Sequence, residues 1–357
     1  NNNKFKNKRF EMSKKTRGLF DYEYQLELIN KHQPPLAKLN SVINWEMFRA
    51  PIEEAFAIEP KAPGGRPPFD RLMMFKILIL QRYYNLSDEQ TEFQIKDRLS
   101  FMQFLGLQIG DTVPDEKTIW HFKEKLKEKK LSKKLFELFT HTLISNGVVA
   151  REGSIVDASF VNVPRQRNSR EENDAIKQDN IPESFENNPA KLSQKDTDAR
   201  WMTKNKERHF GYKNHVNADA VTKLITKFTT SSASLHDSQK LEELVNQQDK
   251  RLFADSAYRS DKIERYLWLK KCKSFVHEKA YRSRPMTPAQ ERSNGVKSKI
   301  RVKVEHVFGY MTNSMNNGLN LKAIGKERID SLIGLLNLTY NLFRYEQLVR
   351  LQKVKMM

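Results

Sequence analysis

Residues 153–163 read GSIVDASFVNV, a β-branched apolar run with one carboxylate, Asp157, at its centre. Aspartate is depleted in strands, so its position there needs a physical reason. Two-residue alternation puts Ile155, Asp157 and Ser159 on one face and Val156, Ala158 and Phe160 on the other. The pattern recurs in RLFADSAY, residues 251–258, where a short apolar run delivers Asp255 and leads into the helix-like RSDKIERYLWLKK. Strand ends of this kind are where open α/β sheets place chemistry. A third acid, Glu305, stands in KIRVKVEHVFGYM, where Val304, Val307, Phe308 and Met311 mark the buried stripe of a helix and Arg301 precedes the glutamate by one turn. Taken singly, each acid has an ordinary explanation: an aspartate hydrogen-bonded near a strand end, or a surface Arg/Glu pair worth a few tenths of a kcal/mol. Taken together, two strand-borne aspartates and a helix-borne glutamate are a hard-oxygen set suited to two Mg2+ ions, for which Mn2+ would substitute. Such a pair clamps the attacking and leaving oxygens of an in-line phosphoryl transfer.

The segments VDASFVNVPRQRNSREEN, KDTDARWMTKNKERHFGYKNHVNAD, SLHDSQ, ADSAYRS, HEKAYRSRPMT and RVKVEHVFGYM resemble the IS5-type insertion-sequence transposases, over nearly everything from about residue 63 to 351. The resemblance implies a ribonuclease H-like fold in which Asp157, Asp255 and Glu305 are the catalytic DDE triad and the metal ligands. The family signature places an arginine four residues before the glutamate, which Arg301 matches. It also has a tyrosine three residues before that arginine and a lysine seven after the glutamate. Here those positions hold Ser298 and Thr312, so a lysine contact to DNA does not carry over to residue 312.

Composition agrees with a polyanionic partner. Lys and Arg outnumber Asp and Glu by 63 to 44, a net charge of +19, which predicts nucleic-acid binding with a steep salt dependence. A single cysteine, Cys272, excludes a disulfide framework and a thiolate metal site and reads as a small buried apolar residue. No apolar run approaches the roughly 18 residues of a membrane span, and no signal peptide is visible, so a cytoplasmic location is expected. At 357 residues the chain exceeds one typical domain.

The elements that must position the acids follow in order. Residues 1–20 are basic and aperiodic and read as a flexible tail. Residues 21–150 read as an all-helical DNA-binding and assembly domain. Its helices are expected over 22–31 and 41–56, broken at Pro34, Pro35 and Pro51; over 70–85; over 87–105, opened by a Ser-x-x-Gln capping box; and over TIWHFKEKLKEKK after Asp115. A last one covers 132–146 and is closed by Gly147. A helix-turn-helix is compatible with this region, and the lysine-rich helix suits either DNA or solvent.

Residues 151–357 read as the catalytic domain, with a five-stranded mixed sheet flanked by helices, so the chain is α+β overall. Residues 164–207 are polar and read as a long loop. In it Arg165, Arg167, Arg170 and Lys204 are placed to meet phosphates beside the metals, unless the arginines pair with Glu171 and Glu172. Trp201 reads as a packing anchor rather than a base-stacking platform. A hairpin over 209–219 and 224–232 puts Lys213 and His215 on one face with Asp219; Lys213 is a candidate phosphate contact and His215 a structural histidine. Asp237 reads as an N-cap or as the partner of Ser234. Arg282, Arg284, Lys297 and Lys299 make a basic approach to Glu305, and Arg282, Arg284, Lys299 and Arg301 are candidate DNA contacts.

The resemblance therefore implies a DNA transposase of bacterial chromosomal DNA that cuts at the inverted-repeat ends of its element and joins the 3′-hydroxyls to target DNA, as a homodimer or larger synaptic assembly and with no membrane partner. The alternatives are a nuclease of the same fold that cleaves without strand transfer, and a silent DNA-binding remnant or repressor.

Overall fold

The computed structural model describes residues 21–57, 67–204, 206–280 and 285–356. The tail at 1–20, residues 58–66, and Arg282 and Arg284 lie outside the described residues.

Among the described residues eight α-helices come first: α1 (Asp21–Lys31), α2 (Pro35–Val42), α3 (Arg49–Phe56), α4 (Arg71–Tyr84), α5 (Asp88–Asp97), α6 (Leu99–Leu105), α7 (Glu116–Glu128) and α8 (Leu131–Ser145). Their starts follow from capping chemistry. Asp70 accepts from the Met73 N–H at 2.7 Å, Ser87 and Gln90 form a reciprocal box, and Asp115 accepts from the Thr118 N–H at 2.7 Å. Two boundaries differ from expectation. Pro35 starts α2, and Pro51 lies in the first turn of α3 instead of breaking it, because a proline there gives up an N–H that would have no partner. The single helix expected over 87–105 is two, divided at Arg98, whose backbone is extended (φ −112°, ψ 112°).

The sheet consists of β1 (Ser154–Asn162), β2 (Arg200–Lys204), β3 (Glu207–Asp219), β4 (Ile225–Ser232), β5 (Arg251–Ala254) and β6 (Lys273–Val276). Among the described residues it has six strands, not the five expected, in the order β2-β3-β1-β5-β6 with β4 also paired to β3. The extra strand, β2, lies inside the segment expected to be a loop, together with α9 (Arg170–Lys177), α10 (Glu183–Glu186) and α11 (Pro189–Leu192). A few anchors order this polar stretch. Ile176 and Phe185 are buried, and the buried Asp196 carboxylate accepts from the Tyr212 hydroxyl (2.7 Å), the Ala199 N–H (2.9 Å) and the Gly325 N–H (3.0 Å). No apolar period announces such a segment, because hydrogen bonds to distant partners hold it.

β3 runs antiparallel to β1, β2 and β4, while β5 and β6 run parallel to β1 and to each other in turn. Asp219 closes the β3–β4 hairpin by accepting from the Thr222 N–H and hydroxyl. The remaining helices are α12 (Leu241–Leu244), α13 (Asp261–Leu269), α14 (Pro288–Arg301), α15 (Glu305–Asn313) and α16 (Lys326–Arg350).

α16 is apolar on nearly all sides, as a helix passing through a core must be. It packs on α8, α4 and α2 and also on β4, so the first helices and one face of the sheet share a single core. Two buried asparagines in its middle are satisfied by the sheet. Asn337 and Asn214 exchange hydrogen bonds at 2.8 and 3.1 Å, and Asn341 pairs with both backbone groups of Ile225. A smaller cluster on the other side, including Val156, Leu241, Leu252, Tyr258, Leu267 and Val276, fixes β5, β6, α12 and α13.

Gly211 is where β3 pairs with both Asn162 of β1 and Arg200 of β2. Its φ of +142° disfavours any side chain, and an added Cβ would collide with the Val161 carbonyl. Gly211→Ala should therefore destabilise the fold by about 2 kcal/mol or more. A urea midpoint equal to the parent's would refute this account of the strand junction.

Candidate active site

Strand register brings the two aspartates together. Ser154 lies opposite Leu252 and Ile155 opposite Phe253, and continuing that parallel register sets Asp157 level with Asp255. Asp255 ends its strand by capping a short 3-10 turn, accepting from the Ala257 N–H at 2.8 Å. The next ladder pairs Ala254 with Val276, so His277 comes level with Asp255 in turn.

Glu305 arrives from the helical side. The helix expected through Glu305 is α14 and α15 joined by a 3-10 turn over Val302–Val304 that rests on β1, with Val304, Val307 and Met311 fully buried beneath it. α14 is held against β6 by Lys297, which donates to the Val276 carbonyl (2.9 Å) and meets Glu278 (3.2 Å). Arg259 ties the same Glu278 to α13.

Arg301, the last residue of α14, joins the two groups. Its guanidinium donates to Asp157 Oδ2 at 3.2 Å and to Glu305 Oε1 at 3.0 Å, while its Nε is buried without a partner. Burial pushes the Asp157 carboxyl up to about 6; the Ala158 N–H opposes the rise, the Asp255 charge adds to it, and Arg301 and Lys204 oppose it. The imidazole of His277 is held below its ordinary value by burial and then by the Arg301 and Lys297 charges, and its Nε2 lies 3.3 Å from the Ser298 hydroxyl. Sequence reasoning missed His277; its position after an apolar strand parallel to that of Asp255 was the available signal.

The other expected cations divide. Arg165, Arg167, Arg170, Lys204 and Lys299 are exposed. Arg165 lies over the Trp201 ring at 5.6 Å, and Trp201 is half-exposed against Phe210, on an edge strand rather than in a core. Glu172 is occupied by Lys191 at 2.6 Å instead of by the loop arginines. Lys213 is buried, its amine bound to the Leu235 carbonyl (2.7 Å) and to Asp237 (2.8 Å). Asp237 is thus an ion-pair partner and not a cap; His236 caps that turn. His215 is buried 2.7 Å from the Ser231 hydroxyl, as expected of a structural histidine, and burial lowers it to about 4. Cys272 is buried, its thiol pushed up to about 12.

Among the described residues no group of three or more His, Cys, Asp or Glu side chains is arranged to hold a metal ion. The residues nevertheless fit one. Asp157 and Asp255 are like charges in a poorly solvated place, which a divalent cation would neutralise, and Mg2+ takes only one or two protein carboxylates per ion. Glu305 is exposed and tied to Arg301, so its carboxylate joins such a site only by exchanging that partner.

Two family models match the chain: Transposase DDE domain over residues 150–342 and Transposase domain (DUF772) over residues 23–125. The chain belongs to the DDE transposase family. All three acids fall within the longer match. The transposase has the helical N-terminal region and ribonuclease H-like mixed sheet expected of it. A solved structure, "Cryo-EM structure of piggyBac transposase synaptic complex with hairpin DNA (SNHP)", is similar at 12% identity and a TM-score of 0.45, covering 90% of this chain and 77% of that one. No helix among the described residues is long and apolar enough to cross a membrane.

The raised Asp157 carboxyl gives the transposase a pH signature. In the unfolded chain this group titrates near 3.8 and in the folded one near 6, so its stabilising contribution is full below about pH 4 and lost as pH rises through 6. Asp157→Asn, neutral throughout, should match the parent at pH 4 and exceed it by up to about 2 kcal/mol at pH 7.5 in chelator. Urea unfolding at the two pH values checks this; a difference independent of pH would contradict it.

Proposed function

We propose that this transposase cleaves DNA at the inverted-repeat ends of its insertion sequence and transfers the freed 3′-hydroxyls to target DNA, with Asp157, Asp255 and Glu305 as its acidic triad. The observation that carries the reading is the register that sets Asp157 level with Asp255 while Arg301 ties Asp157 to Glu305. Strand register links the two aspartates and Arg301 links Asp157 to Glu305, which supports the reading in a chain whose family is that of DDE transposases.

Divalent cations held by the three carboxylates, Mg2+ or in its place Mn2+, would supply activation of a water and then of the 3′-hydroxyl, and neutralise charge on the scissile phosphate. The protein's own part is positional. β1 and β5 hold two carboxylates rigidly from the sheet, and α15 offers the third from a helix start, where a negative charge is favoured. Arg301 carries positive charge between Asp157 and Glu305 and would pass to a phosphate oxygen as the carboxylates take up cations. His277, held toward its neutral form, stands beside Asp255 as a hydrogen-bonding group. No covalent intermediate on the protein is required.

Arg165, Arg167, Arg170, Lys204 and Lys299 are exposed cations suited to phosphate contact. Arg301 reaches the site from within, Lys213 is committed to Asp237 and the Leu235 carbonyl and is not assigned to DNA, and Arg282 and Arg284 are assigned to DNA from their place in the sequence before α14. The α1–α8 region is assigned to end recognition and assembly. Joining requires two ends at once, so a homodimer or larger assembly is expected, acting on chromosomal DNA in the bacterial cytoplasm.

With element-end DNA, Asp157→Ala and Glu305→Gln should each lower 3′-end joining at least about a hundredfold while DNA affinity stays within a few fold. Cut but unjoined product from the parent protein would favour a nuclease without strand transfer. Joining that survives Asp157→Ala would sink the triad.

A further inference from the structure

α7 is the lysine-rich helix, and the fold sorts its charges into two sets. Lys123 meets Asp88 at 2.5 Å and Lys127 meets Glu124 at 2.9 Å, while Arg328 at the start of α16 holds the same Glu124 at 2.7 Å. These pairs fasten α7 to α5 and α16 over the buried Ile119, Phe122 and Leu126, and their charges are matched within the protein.

The outward side differs. Lys117, His121 and Lys125 recur every fourth residue, so they share one face of the helix, with Trp120 beside them. All four are exposed, the Trp120 ring 4.9 Å from that of His121, and none of them enters an ion pair among the described residues. Glu116 and Glu128 stand exposed at the two ends of α7; between them the one acid is Glu124, already matched. On its Trp120 side α7 borders a cleft of about 420 Å3 whose lining also includes Pro164 and the exposed Lys322. Pro164 leads directly into Arg165 and Arg167, the exposed cations that follow β1. The cleft thus joins the outward face of α7 to cations next to the strand that carries Asp157.

We propose that this face is where the N-terminal helices hold duplex DNA: Lys117 and Lys125 meet phosphates, and the sugar–phosphate backbone continues past Trp120 across the cleft toward Lys322 and Arg165. Eight residues separate the two lysines, about 12 Å along the helix, so each meets a different phosphate. A second protein fits the face less well. Protein interface cores are depleted in lysine, and Trp120 is the one large apolar side chain exposed on α7 among the described residues. Lysine contacts to phosphate position a duplex without reading its bases, so their mark is a salt effect common to all sequences. This assignment deepens the reading of the chain as acting on element-end DNA and rests on it.

The test measures binding of the full chain to an element-end duplex and to a random duplex of equal length over a range of salt. Lys117→Gln/Lys125→Gln is expected to weaken both by the same factor, about fivefold or more, and to make the slope of log affinity against log salt shallower by about 2. Lys117→Arg/Lys125→Arg should keep the parent's slope. Both sites are exposed, so each variant should melt close to the parent. A slope unchanged in the glutamine variant overturns the role of α7 and, where the parent still joins 3′-ends, leaves the proposed function standing. An equal loss in Lys262→Gln/Lys271→Gln, which removes two exposed lysines in and after α13, also overturns it, since net charge alone then explains the effect. Unchanged DNA affinity with lost self-association gives the face to a second copy and overturns the DNA contact. A melting temperature several degrees below the parent's overturns it too, because the lysines then serve the fold. A parent without salt-dependent affinity for either duplex overturns the proposed function and this assignment together.

Discussion

A carboxylate in the middle of a strand, beside a second one and short of water, is unfavourable unless positive charge is held within reach. In this transposase that charge is the Arg301 guanidinium, 3.2 Å from Asp157 and 3.0 Å from Glu305. Around it the structure is a means of placement. α14 is tied to β6 by Lys297, the turn after Arg301 rests on β1, and Glu305 opens α15 over a floor of buried valines and a methionine. Even so, the Asp157 carboxyl remains raised, so one guanidinium only partly offsets burial and the neighbouring acid. A place with too little positive charge is a place where a further cation gains free energy by binding.

That placement needs a rigid sheet, and α16 supplies the backing. Asn337 and Asn341 in its middle hydrogen-bond to β3 and to the start of β4, which fixes the helix along its axis as well as against the sheet. Apolar burial alone is non-directional and would allow a helix to slide. Paired amides in a dry core do not, because sliding would leave buried donors and acceptors unmet. The same helix packs the first helices on its other side, through stacked Tyr83 and Phe343 and the Phe139–Tyr345 contact.

The basic residues divide into two kinds with different physics. Lys213 is buried and Lys297 half-buried, and both are bonded to carbonyls and acids, so they serve the packing of the elements around the site. Arg165, Arg167, Arg170, Lys204 and Lys299 are exposed, and their charges add to the field expected to draw a polyanion toward it. Net charge by itself does not separate the two kinds.

The sequence alone determined the elements whose cause is local. Asp70, Ser87 and Asp115 start helices where their side chains can cap, Gly147 ends one in the left-handed region, and alternation in β1 puts Asp157 on a defined face. Residue types and motifs in 150–342 were also enough to place the chain in its family. Tertiary structure decided what depends on partners far along the chain. β2 and the short helices before it lack a legible period because Asp196, Tyr212 and the Gly325 N–H hold them. The level of His277 follows from two ladders that no local pattern encodes. Lys213 alternates in its strand like a surface lysine, and only the packing of the Asp237 turn takes its amine inside. Periodicity reports burial and capping, which act over a few residues; register and ion pairing act between elements, and the folded chain alone brings those together.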